Sequence, residues 1–362
     1  MNKLSLLFSL LVSSSLLFSS CVNEFVPEES YNYPWPVSSP AELGLDESML
    51  EGALAEAGSK DFINSMLIIR NGKIAAERYF NGGEVNSFQT VRSVSKSFLS
   101  ALIGIAVDKG ILSLGQKMID FFPEYNTANV DPRIKEITLE HLLTMKSGIK
   151  GDEAVYFTFT SSSNWIKTII ELPLDFDPGT RAQYSTAGTH LLSGVLTIAS
   201  GMSTYEFAKI FLFGPMGIEI MGWSRDPQGI YFGGNDMFFT TRNMAVLGLL
   251  YMNRGKLNGM QIVPEEWANK SLTYSGGSST VWGSLSNGGY GYLWWLGKIA
   301  GEKIFFALGH GGQYIICVPD LDMIVVATSN PYLDWDISDE HERAVLQIIE
   351  DKIIPAAKSN LN

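Results

Sequence analysis

Apolar positions change their period along this chain. Ser65 to Arg70 and Lys73 to Phe80 are short apolar and alternating runs on either side of Asn71-Gly72, a strong hairpin signal, and Asp46 to Ala57 before them reads as helix. From Ser93 to about Gly277 the spacing becomes helical, predicting helices over 93–109, 138–146, 163–171, 187–200, 204–213 and 241–254. Strand character returns at Tyr290 to Leu296, Lys303 to Leu308, Tyr314 to Val318 and Met323 to Thr328, with Pro319-Asp320-Leu321-Asp322 as a turn. A last helix is predicted from about Asp339. Strands at both ends of a helical middle predict an α+β fold whose terminal segments share one antiparallel sheet, flanked by helices. The sheet lobe takes 46–92 and 288–358 of a single domain over 46–358, and the inserted helical lobe takes 93–287. A small-molecule site is expected where the lobes meet.

The first eighteen residues break this pattern. One early lysine, an apolar serine-rich run and Leu17-Phe18-Ser19-Ser20-Cys21 have the shape of a bacterial signal peptide over 1–20. Small residues immediately before Cys21 resemble a lipobox, so the chain is expected to be cleaved there, acylated on Cys21 and held at the periplasmic side of the envelope. Residues 21–45, with Pro27, Pro34, Pro36 and Pro40, read as a lipidated tether. If Cys21 carries lipid, Cys317 is left alone and no internal disulfide forms.

With 362 residues, 46% of them hydrophobic, the chain can bury a large core. Its net charge is −12, and losing Lys3 with residues 1–20 makes it −13. With no long basic run either, nucleic acid is excluded as an expected partner. His141, His190, His310 and His341 are scattered without His-Glu-x-x-His spacing or paired cysteines, so no metal and no cofactor is expected.

Candidate chemistry begins at Ser93-Val94-Ser95-Lys96, where a polar stretch becomes an apolar helix. Positions i and i+3 share a helix face, so the Lys96 amine can lie beside the Ser93 hydroxyl. Desolvation would lower the lysine pKa toward about 7 to 8, where the neutral amine takes a serine proton. A second match, Ser147-Gly148-Ile149-Lys150, falls at the carbonyl end of a predicted helix, where an alkoxide is disfavoured.

Two further segments carry candidate groups. Tyr184 follows the Pro178-Gly179 turn at the start of another helix, and its phenol would relay a proton if a nearby ammonium lowered its pKa. Gly309-His310-Gly311-Gly312-Gln313 lies between two strands, and its glycines permit close approach of backbone to a ligand. There the Gln313 N–H would pair with that of Ser93 as an oxyanion hole, and His310 would hold substrate or tune Lys96. Asp339 to Glu342 reads as a solvated helix start, and Asp175 and Asp177 as turn residues. Specificity is expected in loops over 151–165 and 274–290.

These segments, in this order, resemble the penicillin-recognising serine hydrolases, in particular the branch of class C β-lactamases, D-alanyl-D-alanine carboxypeptidases and related esterases. The family patterns Ser-x-x-Lys, Tyr-x-Asn and Lys/His-x-Gly fall on Ser93/Lys96, Tyr184/Thr186 and His310/Gly312. Ile137-Thr138-Leu139-Glu140-His141-Leu142-Leu143-Thr144-Met145-Lys146-Ser147-Gly148 and Thr240 to Ala245 extend the likeness, which spans about 40–330. It implies a β-lactamase-like fold and an acyl-enzyme on Ser93. Lys96 and Tyr184 would share proton transfer, His310 would be a fourth catalytic group, and Thr186, Gly311 and Gly312 would bind substrate. Thr186 stands where asparagine is usual, and His310 where β-lactamases have lysine. Both departures favour an esterase or amidase acting on a small ester, amide or peptide over a β-lactamase or carboxypeptidase. A receptor acylated without turnover, and a catalytically silent relative, remain as alternatives.

Overall fold

The computed structural model describes residues 33–276 and 285–359. Seven antiparallel strands form the central sheet: β1 (Ile63–Arg70), β2 (Lys73–Tyr79), β3 (Ser286–Tyr290), β4 (Trp295–Ile299), β5 (Glu302–Gly309), β6 (Gln313–Val318) and β7 (Met323–Ser329). Their order is β2-β1-β7-β6-β5-β4-β3, so the N-terminal hairpin joins the C-terminal strands where β1 pairs with β7. The sheet is thus built from both chain ends, as the pattern predicted. Asn71 (φ 52°) and Gly72 (φ 70°) both take the left-handed conformation that a two-residue hairpin turn requires.

Strand alternation sends side chains to two cores. Met66, Ile68, Ile316 and Val325 pack against α1 (Glu47–Gly58), α6 (Trp335–Ile348) and the C-terminal turns. Leu67, Ile69, Ile315, Cys317 and Ile324 face α5 (Thr241–Met252) and the helical middle. Gly248 allows α5 to lie close, since a Cβ there would stand 3.0 Å from Ile315 Cγ2 and 3.1 Å from Ile324 Cγ2. In the same core α2 (Ser95–Asp108) is buried from Ser95 to Ala106 because its apolar residues cover every side.

Four expectations change. Tyr290 to Leu296 is not one strand but the reversal between β3 and β4: Gly291 donates its N–H to Trp294 O at 2.9 Å, and Tyr292, Leu293 and Trp294 are buried. A buried aromatic turn has the composition of a strand. Within the expected loop 151–165 lies a helix, α3 (Asp152–Thr160), whose Val155 and Phe159 enter the core one turn apart. The last helix starts at Trp335, four residues early. The described part of the tether is fixed: Trp35, Leu43 and Leu45 are buried, and Ile74 N–H donates to Pro36 O at 2.8 Å. Residues 1–32, with Cys21 and the expected cleavage site, lie outside the described residues.

Candidate active site

Ser93 lies in a 3-10 turn, Arg92–Val94, that runs into α2. Arg92 takes a left-handed φ of 51°, bending the chain sharply just before the serine. The end of β5 presses on this turn: a Cβ at Gly309 would stand 2.3 Å from the Val91 carbonyl oxygen. Ser93 is half-buried on a cavity of about 590 Å³, while Lys96, one turn along, is 1% exposed.

The Lys96 amine has three neighbours: Ser93 Oγ at 2.9 Å, Thr186 Oγ1 at 2.8 Å and the Gly234 carbonyl at 2.8 Å. Burial pulls its pKa down to about 8, against the opposing pull of the Asp152 carboxylate. Thr186 opens α4 (Thr186–Ser200), whose start Ser185 caps by accepting from Gly188 N–H. The second Ser-x-x-Lys forms no such pair: Ser147 is buried and accepts from Ile149 N–H at 3.3 Å.

Tyr184 meets the same amine, with Lys96 Nζ 4.8 Å from its ring centroid, and its ring stacks on Trp295 at 5.6 Å. Its phenol differs from expectation. Burial first, then Tyr290 and Asp152, raise its pKa well above 10, and hydrogen bonding with Ser93 offsets only part of that. Burial thus favours the protonated phenol of Tyr184 and the neutral amine of Lys96.

The His310 segment divides. His310 lines the cavity, edge-on to Trp335 at 4.9 Å, with its ring Nε2 2.9 Å from Leu333 O. Burial lowers its pKa, which favours the neutral ring. Gly311 and Gly312 are off the cavity wall. Gly311 N–H donates to Ser338 Oγ at 2.7 Å and Glu342 Oε1 at 3.2 Å, and Gly312 N–H to Gly309 O at 3.2 Å. Neither amide is free for substrate. Gln313 is buried, and its carboxamide is tied to Ser329 and Gln89. Within this hairpin loop, His310 is the residue that lines the cavity with Ser93.

A family model described as Beta-lactamase matches residues 64–346. The chain belongs to the Beta-lactamase family. This Beta-lactamase-family chain is 23% identical, over 74% of its length and 72% of the relative's, to a 6-aminohexanoate-dimer hydrolase of Paenarthrobacter ureafaciens. Its fold matches the octameric penicillin-binding protein homologue from Pyrococcus abyssi with a TM-score of 0.64 and 22% identity, covering 88% of this chain and 78% of that one. It also matches EstCE1, a hydrolase with promiscuous acyltransferase activity, with a TM-score of 0.67 and 16% identity, covering 86% and 98%.

Sequence reasoning missed two carboxyl groups on this family member's cavity. Asp152 accepts from both Thr186 N–H and Thr186 Oγ1–H at 2.5 Å. Glu342, expected on a solvated face, is buried beneath Gly311, accepts from Ser338 Oγ at 2.7 Å, and is pushed up to about 8 by burial. A signal for Glu342 existed, because it lies three and four residues before the core positions Val345 and Leu346. Asp175 and Asp177 are off the cavity wall, bonded to Gln183 and Arg133. Among the described residues no group of three or more His, Cys, Asp or Glu side chains converges as a metal site.

Proposed function

We propose that this protein is a serine acyl hydrolase of the esterase or amidase type, related within its family to the class C branch, acting on small uncharged esters or amides with an apolar portion. The observation that carries this reading is the buried Lys96 amine 2.9 Å from Ser93 Oγ. The neutral amine takes the serine proton as Oγ attacks the carbonyl. The Ser93 and Gln313 backbone amides stabilise the developing oxyanion, and Tyr184, held protonated by its burial, passes a proton to the leaving group. Deacylation repeats these steps with water in place of the leaving group.

Substrate charge follows from the wall. His310, the counterpart of the β-lactamase lysine, is favoured as the neutral ring with Nε2 against a carbonyl. Arg92 and Arg343 each face a carboxylate, Asp236 at 3.8 Å and Asp339 at 3.9 Å. Among the described residues of the wall a substrate carboxylate therefore meets no unpaired cation, while Phe157, Trp295, Leu296, Phe306 and Leu308 offer apolar surface. Thr186, whose hydroxyl proton goes to Asp152 and which accepts from Lys96, has no donor left for a substrate carbonyl. In a panel of nitrophenyl esters, linear amides, β-lactams and D-alanyl-D-alanine peptides, turnover is expected for short uncharged esters and amides. A preference for the carboxylate-bearing β-lactams or peptides would overturn the assignment.

We further infer export and acylation at Cys21, on the evidence of the serine-rich apolar leader and the small residues before the cysteine. Cells fed an alkyne fatty acid are expected to label the wild-type chain and not Cys21→Ala. Equal labelling of both would remove the anchor.

A further inference from the structure

We propose that Asp152 is a positioning residue which, through Thr186, holds the Lys96 amine in place and aims its lone pair at Ser93. This deepens the hydrolase reading and depends on it. The argument is a count of hydrogen atoms. A neutral amine has two N–H donors and one lone pair, and Lys96 Nζ has three neighbours at 2.8 to 2.9 Å. Gly234 O is only an acceptor. Thr186 Oγ1 could act either way, but its proton is committed to Asp152 Oδ2, so it too faces Lys96 as an acceptor. Both amine hydrogens are then used, and the lone pair is left for the Ser93 hydroxyl.

The carboxylate is itself anchored. Thr186 N–H donates to Oδ1, which fixes which oxygen meets the Thr186 hydroxyl. Gly234 closes the other side, since a Cβ there would stand 2.4 Å from Thr189 Oγ1, 2.7 Å from Thr186 Cγ2 and 3.3 Å from Lys96 Nζ.

The charges around the amine single out Asp152. Ser93 and Arg92 come from its own segment, Tyr184 and Thr186 from the start of α4, Tyr290 from β3, and Tyr156 from α3. Glu342 and His310 also stand on the cavity wall, while Arg92 is occupied by Pro331 O and Asp236. Asp152, whose own pKa burial raises against the pull of Lys96 and the two Thr186 hydrogen bonds, is the carboxylate whose field reaches Lys96, keeping the amine more basic than burial alone would leave it.

Asp152→Asn tests this. The Thr186 N–H still demands the amide oxygen, so the amide N–H₂ must face Thr186 Oγ1 and turn the hydroxyl proton toward Lys96. The lone pair is then drawn from Ser93 and the stabilising charge is lost. The readout is the rate of Ser93 labelling by a fluorophosphonate across the neutral and alkaline range, which needs no known substrate. Wild type should rise with a midpoint near 8. Asp152→Asn should show a midpoint lower by about one unit and a plateau reduced by about tenfold or more. Thr186→Val should lower the plateau while Thr186→Ser retains the wild-type profile, which covers an Asp152→Asn chain that does not fold. Wild-type labelling with a superimposable Asp152→Asn profile, or matching Thr186→Val and Thr186→Ser profiles, overturns this inference and leaves the hydrolase reading intact. No labelling of folded wild type overturns both.

Discussion

Ser93→Ala is expected to reduce steady-state hydrolysis of the preferred ester by about 10⁴-fold or more while leaving the fold intact. The size follows from losing the nucleophile outright: what remains is the binding and oxyanion stabilisation that the amides and the cavity still provide. The fold should survive because Ser93 is half-buried at the cavity wall, and the substitution removes one oxygen without leaving a large void. Lys96 keeps Thr186 Oγ1 and Gly234 O as partners. Progress curves with a nitrophenyl ester give the answer directly. Wild type should turn over continuously, whereas a burst of one equivalent followed by arrest would identify an acylated receptor. A Ser93→Ala chain within tenfold of wild type would end the case for this serine.

The parts of this site that could be read from the sequence are those whose geometry is local. Ser93 and Lys96 are three residues apart on one helical turn, so their contact follows from helix geometry. Asn71-Gly72 likewise encodes its own turn. The sheet could be read because strand patterns at the two chain ends leave each other as natural partners, and β1 does pair with β7.

Asp152 could not be read in this way. It lies 56 positions beyond Lys96 and 34 before Thr186, in a stretch expected to be a loop, and only the packing of α3 beside α4 brings it to the amine. Gln313 and His310 show a finer limit. Sequence placed both in one glycine-rich connection, but only the hairpin register, Gly309 opposite Gln313, decides which side chain is buried and which lines the cavity. Tyr184 was found by position, but neighbours in sequence gave no measure of the burial that raises its pKa.

Lys96→Met separates catalysis from stability in a way no other substitution here does. Methionine fills similar volume without the amine, so serine activation should fall by about 10³-fold. Stability should respond to pH with a definite sign. The folded-state pKa of Lys96 is about 8 against an ordinary 10.5, so below pH 8 the folded protein carries a buried charge that the unfolded chain carries in water. That burden is fully present below 8 and is relieved as pH rises from 8 toward 10.5, because the folded state releases its proton first. The shift corresponds to about 3 kcal/mol. Wild-type unfolding free energy, measured relative to Lys96→Met, should therefore increase by about that amount between neutral pH and the top of the window. Urea unfolding of both chains at several pH values measures the difference, in which the other titrating groups largely cancel. Parallel curves would mean that Lys96 is not desolvated. A neutral amine would then no longer be available to Ser93 at physiological pH, and the proton-transfer mechanism would lose its base.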